Sequence, residues 1–228
     1  MRLHRFFMKD GVQTRVTDAA TVSQWRKVFR FGTGDKVVLF DDSGFEYVAT
    51  IVRFYEDGAE VALGEKKQGI VPAREIWLCM SIIKKDNFEW VVEKATELGV
   101  THIVPVISGR TEKKALNMER LRSIAKEASE QSGRGNIPIV HEPVALADSF
   151  EIVKADEKFV CDTGEDASKK LSADASGKSI ALYIGPEGGW DDADKALFND
   201  NKILPISLGE LVLRAETAAI AGMVLANR

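Results

Sequence analysis

Residues 184–190, IGPEGGW, and residues 208–218, LGELVLRAETA, are the two stretches that decide how this chain folds. Each follows an apolar run, SIALYI at 179–184 or ILPISL at 203–208, and each leads into a helical pattern. Glycine between a strand and a helix permits positive φ and close approach of the main chain to a ligand, and a helix start offers free N–H groups. Ligands of open α/β sheets bind beside the carboxyl ends of strands. The two stretches therefore predict one ligand site.

We name residues 185–190 the glycine loop and residues 208–213 the second loop. The glycine loop matches neither G-x-G-x-x-G nor G-x-x-x-x-G-K-[ST], so the common nucleotide-phosphate motifs are excluded. Arg214, Glu216 and Thr217 fall in the first turn of the helix that follows the second loop. Each alone is typical of a capping or solvated residue. Together, beside a glycine-rich loop, they indicate a functional site.

Length and composition limit the class of protein. A chain of 228 residues with 45% hydrophobic content predicts one large or two small domains with a substantial core. No apolar run approaches the ~20 residues of a membrane span, and no signal pattern is visible, which favours a cytoplasmic protein. Cys79 and Cys161 lie in apolar runs and predict buried thiols. The three scattered histidines offer no zinc site.

Charge is distributed unevenly along the chain. Residues 1–140 carry 22 Lys or Arg against 19 Asp or Glu, whereas residues 141–228 carry 9 against 16. The overall net charge of −4 argues against a nucleic-acid partner, but a global charge says little about one basic face. The acidic final third could still hold a positively charged cofactor.

Residues 1–72 predict a small, mostly β domain. A helical pattern at 18–30 precedes three β-rich runs, DKVVLF, FEYVATIVRFY and AEVALG, which the turn clusters DDSG and EDG separate. This is the pattern of a barrel-like meander. On this pattern alone, the basic residues near the start of the domain are expected to form a solvent-exposed helix face. Residues 66–74, KKQGIVPAR, predict the linker to the next domain.

From residue 75 onward, strand and helix patterns alternate. The predicted strands are EIWLCMSII, THIVPVIS, IPIV, KFVCD, SIALYI and ILPISL, with helical stretches between most of them. Such alternation predicts an α/β domain over residues 73–228, with a mostly parallel sheet covered on both faces. Residues 86–89 have capping-box character at the start of the first helix, and Gly99 suits its end.

Two further clusters carry polar side chains. Ser108, Arg110 and Thr111 follow a predicted strand, and Gln131, Ser132 and Arg134 end a long helix. Such donors suit phosphate groups or base edges. Lys84 follows the first strand of the α/β domain, although a single lysine is more often simply exposed.

Five segments in order give these features a common meaning: MRLHRFF, FRFGTGDKVVLFD, EKATELGVTHIVPVIS, EASEQSGR, and the pair IGPEGG and LR-x-ETA. Together they resemble the ribosomal RNA small subunit methyltransferase E family of the SPOUT superfamily. The resemblance extends over nearly the whole chain. It implies S-adenosylmethionine as cofactor, and it implies methylation of N3 of a uridine in the 16S rRNA of the small ribosomal subunit.

The resemblance also implies an architecture. Residues 1–72 would form a PUA-like RNA-binding domain, and residues 73–228 a SPOUT methyltransferase domain with a C-terminal trefoil knot. A homodimer is implied, with each active site bordering the partner subunit. The cofactor pocket would be formed by Ile184, Gly185, Pro186, Glu187, Gly188, Gly189, Leu208, Gly209, Leu213 and Thr217. Our candidates for RNA contact are Arg5, Arg30, Lys84, Arg110, Gln131 and Arg134.

The chemistry of the implied reaction points to two catalytic residues. Uridine N3–H is an imide between two carbonyls, so its loss leaves negative charge on O2 and O4 that a fixed guanidinium can stabilise. Arg214, beside the cofactor loops, fits that role. Glu216 could orient Arg214 or accept the proton. We favour orientation, because pairing with a guanidinium lowers the pKa of a carboxylate and weakens it as a base.

Two departures from the family pattern concern RNA contact. This chain has Glu210, Leu211 and Val212 where the family commonly has LG-P-R-x-LR, and Gln24 where a histidine is frequent. Two alternatives therefore stay open. One is a SPOUT methyltransferase of another rRNA or tRNA nucleotide, including 2′-O methylation. The other is a non-catalytic RNA-binding module of ribosome assembly.

Overall fold

A computed structural model describes residues 3–112, 115–163 and 179–227 of the chain. Main-chain contacts divide it into two compact units. The N-terminal unit comprises Met1–Val71 and Ser129–Ile137, and the C-terminal unit comprises Pro72–Ala128 and Pro138–Arg228.

The N-terminal unit is built on a five-stranded mixed sheet. Its elements are β1 (Arg5–Phe7), β2 (Arg15–Val16), α1 (Ala19–Lys27), β3 (Lys36–Phe40), β4 (Phe45–Tyr55) and β5 (Gly58–Gln68). The strand order is β1-β3-β4-β5-β2, with β1 parallel to β3 and the other pairs antiparallel. Fully buried Trp25 of α1 packs with Phe6, Leu39 and Ile51 of the sheet, so one face of the sheet and the apolar stripe of α1 form the core.

Helix α1 is shorter than the predicted 18–30. Asp18 caps its start, because the side chain accepts a hydrogen bond of 2.8 Å from the Thr21 N–H. The helix ends at Lys27, and Arg30 then adopts a left-handed φ of 56° that redirects the chain. The prediction failed here because Val28 and Phe29 continue the apolar spacing after the backbone has left the helix.

Strand β5 is longer than predicted and takes residues from the predicted linker. Lys66 and Lys67 pair with Tyr47 and Glu46 of β4 in an antiparallel register. The prediction that the linker begins at residue 66 is therefore wrong. Lysines and glutamine at the end of β5 look like a loop in sequence, but the cross-strand hydrogen bonds of β4 extend the strand to Gln68.

The C-terminal unit alternates strands and helices. Its elements are β6 (Ile76–Ser81), α2 (Lys85–Glu97), β7 (His102–Ile107), α3 (Met118–Ser132), β8 (Ile139–Val140), β9 (Val144–Ala145), α4 (Leu146–Ile152), β10 (Glu157–Cys161), β11 (Ile180–Ile184), α5 (Asp192–Asp200), β12 (Leu204–Ile206) and α6 (Ala215–Ala226). The last residues of α3 are grouped with the N-terminal unit.

The sheet of this unit is parallel throughout its described pairings. Its order is β12-β10-β11-β6-β7-β8, and β9 pairs with the end of β7. Every residue of β6 and β11 is buried, as expected for central strands covered on both faces. The predicted α/β class with a mostly parallel sheet is confirmed.

Two local predictions about α2 had opposite outcomes. The capping box at residues 86–89 is wrong, because α2 begins at Lys85, its N-cap is Lys84, and no side chain caps it. Gly99 at its end is confirmed: it adopts a φ of 89°, and its N–H reaches the Thr96 carbonyl at 3.1 Å. Only a residue without Cβ adopts that conformation at low cost.

Helix α6 packs closely on the sheet through its small residues. A Cβ on Gly222 would lie 3.1 Å from Cδ1 of Leu182 in β11, and Ala219 is fully buried. The small residues therefore permit close approach of this helix to the sheet. Cys79 is buried and Cys161 half-buried, and both thiols are free. Burial raises the pKa of both thiols to about 12, so they remain protonated.

Candidate functional site

The glycine loop leaves the carboxyl end of β11 and is held in place by Trp190. This side chain is buried, and its Nε1 donates to the Cys161 carbonyl of neighbouring β10 at 3.1 Å. A Cβ on Gly185 would approach the indole to 3.2 Å, so the ring packs against bare main chain. The Gly189 N–H closes a turn onto the Pro186 carbonyl at 2.9 Å. The glycine loop is thus held in place by buried contacts with the core and by its own turn.

Helix α5 begins directly after the glycine loop with a capping box. The Asp191 carboxylate accepts the Asp194 N–H at 2.8 Å, and the Asp194 carboxylate accepts the Asp191 N–H at 3.2 Å. Asp194 is buried and also accepts the Gly109 N–H at 3.2 Å. The start of α5 is therefore joined to the turn that follows β7.

That turn, residues 108–111, covers the glycine loop from the side of β7. Arg110 donates from Nη1 to the Gly188 carbonyl at 2.5 Å, and a Cβ on Gly188 would lie 3.4 Å from Cδ of Arg110. At Gly109, a Cβ would lie 1.9 Å from a carboxylate oxygen of Asp191, so no side chain fits there. Arg110, predicted as an RNA contact, thus lies against the glycine loop.

Buried hydroxyl groups stabilise the 108–111 turn from below. Ser108 Oγ lies 3.1 Å from Oγ of Ser81 at the end of β6 and 3.0 Å from Oγ1 of Thr111. The Ser108 N–H also donates to Thr111 Oγ1 at 3.0 Å. These three buried side chains satisfy one another, as buried polar groups must. They fix the turn that carries Arg110.

The second loop leaves β12, which lies on the other side of β10 from β11. Both loops therefore emerge at the carboxyl edge of the same parallel sheet, as predicted, with one strand between them. Gly209 adopts a φ of 146°, and Ser207 Oγ donates to its carbonyl at 2.8 Å. Leu211 and Val212 remain 79% and 82% exposed.

Arg214 is the N-cap residue of α6, and its carbonyl accepts the Ala218 N–H at 2.8 Å. Its side chain is exposed. Across the described ranges, no ion pair or hydrogen bond joins its guanidinium to another group, and Glu216 is half-buried without a bond to it. The structure therefore places Arg214 at the end of the second loop, where α6 begins, but it does not form the Arg214–Glu216 pair expected from sequence.

The remaining predicted cofactor residues lie in the two loops or next to them. Ile184 ends β11 in the core, and Pro186 is buried beside it. Leu208 and Leu213 are half-buried at the two ends of the second loop, whereas Glu187 and Thr217 are exposed. The structure thus brings the predicted cofactor residues to one edge of the sheet.

The RNA candidates are divided between the two units. Lys84 is exposed at the start of α2 in the C-terminal unit, while Arg30 and Gln131 are exposed in the N-terminal unit. Arg5 is paired with Glu46 at 2.5 Å and donates to the Arg134 carbonyl at 3.2 Å.

Arg134 is a buried side chain rather than a surface one. Its Nε donates to the Asn136 carbonyl at 3.1 Å, and its Nη2 donates to Asn136 Oδ1 at 3.2 Å. Burial lowers the pKa of this guanidinium to about 10. Its interactions within the described residues hold the main chain of the 134–136 turn.

Sequence reasoning missed three features of the site. These are the Trp190 anchor, the capping box of α5 and the Arg110 contact with Gly188. The D-x-x-D pattern at 191–194 could have revealed the capping box. No local signal could have revealed the Arg110 contact, since it joins residues 78 positions apart.

Two searches of the described ranges bear on other classes of function. Among residues 3–112, 115–163 and 179–227, no three His, Cys, Asp or Glu side chains are grouped so that they could hold a metal ion. None of the helices in the described part of the chain combines the length and apolar character that crossing a bilayer requires.

Comparison with known proteins matches residues 71–227 to the RNA methyltransferase domain family. The chain is 30% identical to ribosomal RNA small subunit methyltransferase E of Rickettsia conorii, over 87% of this chain and 82% of that protein. It is 28% identical to the Bacillus subtilis protein of the same name, over 85% of this chain and 81% of that protein.

Solved structures agree with these sequence matches. A methyltransferase of Legionella pneumophila in complex with S-adenosylmethionine superposes with a TM-score of 0.87 at 28% identity, over 99% of this chain and 97% of that one. Ribosomal RNA small subunit methyltransferase E of Neisseria gonorrhoeae, bound to the same cofactor, gives a TM-score of 0.86 at 25% identity, over 97% and 95%. Both similarities extend over both units of the chain.

Proposed function

The chain belongs to the ribosomal RNA small subunit methyltransferase E family of RNA methyltransferases, and from this premise we propose that it methylates N3 of a uridine in the 16S rRNA of the small ribosomal subunit. It is an S-adenosylmethionine-dependent rRNA methyltransferase. The observation that carries the proposal is the joint position of the two loops and Arg214 at the carboxyl edge of the parallel sheet. Ligands of open α/β sheets bind at that edge.

The loops have the properties that an adenosine-containing cofactor needs. Gly189 and Gly209 both have positive φ, and among the described residues no atom beyond their chain neighbours lies within 4 Å of where a Cβ would be on either. The side of each glycine where a side chain would stand is therefore open, so a ligand can approach the main chain closely there. Ile184, Leu208 and Leu213 supply apolar surface beside that main chain. We assign cofactor binding to these residues together with Gly185, Pro186, Glu187, Gly188 and Thr217.

Arg214 is the proposed catalytic residue. When bound, S-adenosylmethionine supplies a methyl group attached to a positively charged sulfur. The guanidinium of Arg214 can donate to O2 or O4 of the uridine and stabilise the charge that develops as N3 loses its proton. Its freedom from partners within the described ranges leaves those donors available. Arginine suits this task because its planar fork is fixed and always charged.

Glu216 is the proposed positioning residue for Arg214. It lies two residues farther along the first turn of α6, where its charge also favours the helix start. The absence of a direct bond between the two side chains in the described structure makes this role dependent on a change of rotamer. A Glu216→Gln variant that retains normal kcat would exclude it.

RNA recognition is proposed to involve both units. We assign residues 1–72 to a PUA-like RNA-binding domain and residues 73–228 to the methyltransferase domain with its trefoil knot. Arg30, Gln131 and Lys84 are the exposed candidates for contact with RNA. Arg110 remains a candidate next to the glycine loop. Arg5 and Arg134 would act mainly by holding the 134–136 turn in shape.

The ribosomal substrate suggests the setting in which the protein works. We propose a cytoplasmic homodimer that acts on the small subunit, with each active site bordering the partner subunit. Exposed Leu211 and Val212 of the second loop support a contact of this kind, because exposed apolar pairs are often covered in an assembly.

The decisive test is mass spectrometry of rRNA nucleosides from cells with and without this protein. We expect 3-methyluridine in 16S rRNA to disappear when the chain is removed, and to return when the wild-type chain is restored but not when the Arg214→Lys variant is. Restoration by a cofactor-binding variant without Arg214 would contradict the catalytic assignment. Loss of a 2′-O-methyl nucleoside instead would assign the other reaction.

A further inference from the structure

Two exposed cations of the N-terminal unit, Lys66 and Lys67, lie at one end of the β4–β5 hairpin. Phe45 and Tyr47 alternate along β4, and Lys66 pairs with Tyr47 from β5, so the three side chains share one face of the sheet. Lys66 Nζ lies 4.0 Å from the Phe45 ring centroid and 5.7 Å from that of Tyr47. We name these three residues the aromatic–lysine face.

This face is open to solvent, and its lysine forms no ion pair within the described ranges. Phe45 is 39% exposed, and Lys66 and Lys67 are exposed. Within the described ranges, neither lysine has a carboxylate within 4.0 Å. Asp41 interacts electrostatically with Lys66, but its oxygens accept the N–H groups of Val12 and Ser43 at 3.1 and 2.9 Å.

The opposite end of the same hairpin provides a contrast. Arg53 lies 4.6 Å from the Tyr55 ring centroid, but its Nε is 3.1 Å from Glu60, which also accepts the Tyr55 hydroxyl at 2.6 Å. Arg15 over the same ring is paired with Asp57 at 2.9 Å. Both of these arginines already have a carboxylate partner within 4.0 Å, whereas Lys66 has none at that distance within the described ranges.

The chain that continues from β5 contacts the end of the EQSGR segment, residues 130–134, which belongs to the same unit: Ile70 forms a β-bridge with Arg134. Phe45 pairs with Gln68 at the end of the hairpin, and beyond this pair the Gly69 N–H donates to the Gly44 carbonyl at 2.9 Å. The Gly135 N–H then donates to the Ile70 carbonyl at 2.6 Å, and a Cβ on Gly69 would lie 2.9 Å from Cα of Gly135. This glycine contact joins the turn at residue 135 to the end of the hairpin.

We propose that the aromatic–lysine face is a stacking site for an unpaired nucleobase of the rRNA substrate, with Lys66 moving from the ring to the adjacent phosphate when the base binds. The site rests on the proposed function and extends it to a specific contact. Bases of single-stranded RNA stack on exposed aromatic rings without strict sequence preference, while lysines hold the backbone. An exposed cation–π contact is weak, so a nucleobase can displace the lysine from the ring at little cost in free energy.

Binding of the full-length protein to protein-free 16S rRNA tests the site, measured by filter binding between about 50 and about 200 mM KCl. We expect Phe45→Ala to raise Kd about tenfold at every salt concentration, which is the scale of one lost stacked base. Phe45→Tyr should bind normally. Lys66→Ala should weaken binding most at low salt and make the slope of log K against log salt shallower by about 1, as for one lost phosphate contact.

Matched controls lie on the same strand. Val52→Ala removes a side chain that is 41% exposed, and Arg53→Ala removes a cation that is already paired with Glu60. Both should leave Kd within about twofold, because Val52 has neither a ring nor a charge to offer RNA and the charge of Arg53 is already paired with Glu60. Thermal unfolding and cofactor affinity should be unchanged in all five variants.

Three results would overturn the inference. One is normal Kd for Phe45→Ala, and another is an equal loss in Val52→Ala. The third is a Phe45→Ala variant that binds assembled small subunits more weakly but protein-free rRNA normally. That result would mean that the face contacts a ribosomal protein rather than RNA. These outcomes differ from failure of the proposed function, in which the wild-type chain would bind rRNA and cofactor but leave 3-methyluridine unchanged.

Discussion

The glycine loop and the second loop emerge from the same sheet edge, but they are held very differently. The glycine loop is fixed by buried Trp190, by the capping box of α5 and by Arg110 on the Gly188 carbonyl. The second loop has a local hydrogen bond between Ser207 and Gly209 and leaves Leu211 and Val212 exposed. A pocket between them therefore has one pre-organised wall and one wall with few contacts. Pre-organisation lowers the free-energy cost of binding, so the glycine loop should dominate cofactor affinity.

The largest effect is expected from Gly188→Val. A β-branched side chain would occupy the space between the loop and Arg110, where a Cβ already lies 3.4 Å from Cδ of Arg110. We expect S-adenosylmethionine binding to fall more than about a hundredfold by calorimetry, because the main chain would no longer be accessible to the ligand. Gly32→Val is the matched control, since no atom of the described part of the chain, its neighbours in sequence aside, lies within 4 Å of a Cβ at Gly32. Ordinary affinity in a folded Gly188→Val protein would remove the glycine loop from the site.

Arg214→Lys should separate binding from catalysis at the second loop. The charge is kept but the planar fork is lost, so we expect kcat on small ribosomal subunits to fall about a hundredfold, the scale of one lost transition-state donor. Cofactor affinity should stay within about twofold, because the side chain is exposed and unpaired within the described ranges. Unchanged kcat would exclude the catalytic role. Loss of both folding and cofactor binding would assign Arg214 a structural one.

Arg110→Ala tests whether the 108–111 turn is part of the pre-organised wall. Loss of the donor to Gly188 should raise the Kd for S-adenosylmethionine about tenfold, the equivalent of one charge-assisted hydrogen bond. The sequence-based assignment of Arg110 to RNA predicts a higher KM for RNA with normal cofactor affinity instead. Calorimetry with cofactor alone distinguishes the two. Arg122→Ala, which removes an exposed arginine paired with Glu142 at 2.6 Å, is the control.

The smallest effect is expected from Leu211→Ser in the second loop. Because the side chain is 79% exposed, the free energy of unfolding of the monomeric chain should change by less than about 0.5 kcal/mol. Urea unfolding at low protein concentration measures this change. A loss well above about 1 kcal/mol would show that the second loop is packed in solution, and the contrast between the two loops would then disappear.

Particular elements show how far the sequence could be read. The strands around the glycine loop were predicted to within two residues, because their apolar runs end abruptly at glycine or at acidic residues. The end of α1 and the length of β5 were predicted wrongly, because a left-handed Arg30 and cross-strand pairing of Lys66 leave no local trace. The capping box proposed for α2 failed in the same way: N-cap Lys84 has no capping side chain, yet α2 forms through the burial of Phe88 and Val91.

The candidate site shows the same division between local and long-range information. The sequence identified both loops, Arg214 and Glu216, since glycine, charge and helical spacing are local properties. It placed Arg110 and Arg134 as surface RNA contacts, whereas the structure has Arg110 on Gly188 and Arg134 buried against Asn136. A guanidinium has the same identity in sequence whether it faces solvent or a carbonyl, so burial had to come from the fold.

The sequence by itself determined the α/β alternation, the two loops at strand ends, and the family, because each depends on residue types at short or ordered spacings. Only the tertiary structure decided the strand order β12-β10-β11, which inserts one strand between the two loops, and the contacts that fix one loop and leave the other exposed. The physical reason is that hydrogen bonds such as Trp190 to Cys161 and Arg110 to Gly188 join residues 29 and 78 positions apart. Their free energy is gained only when the sheet brings the partners together.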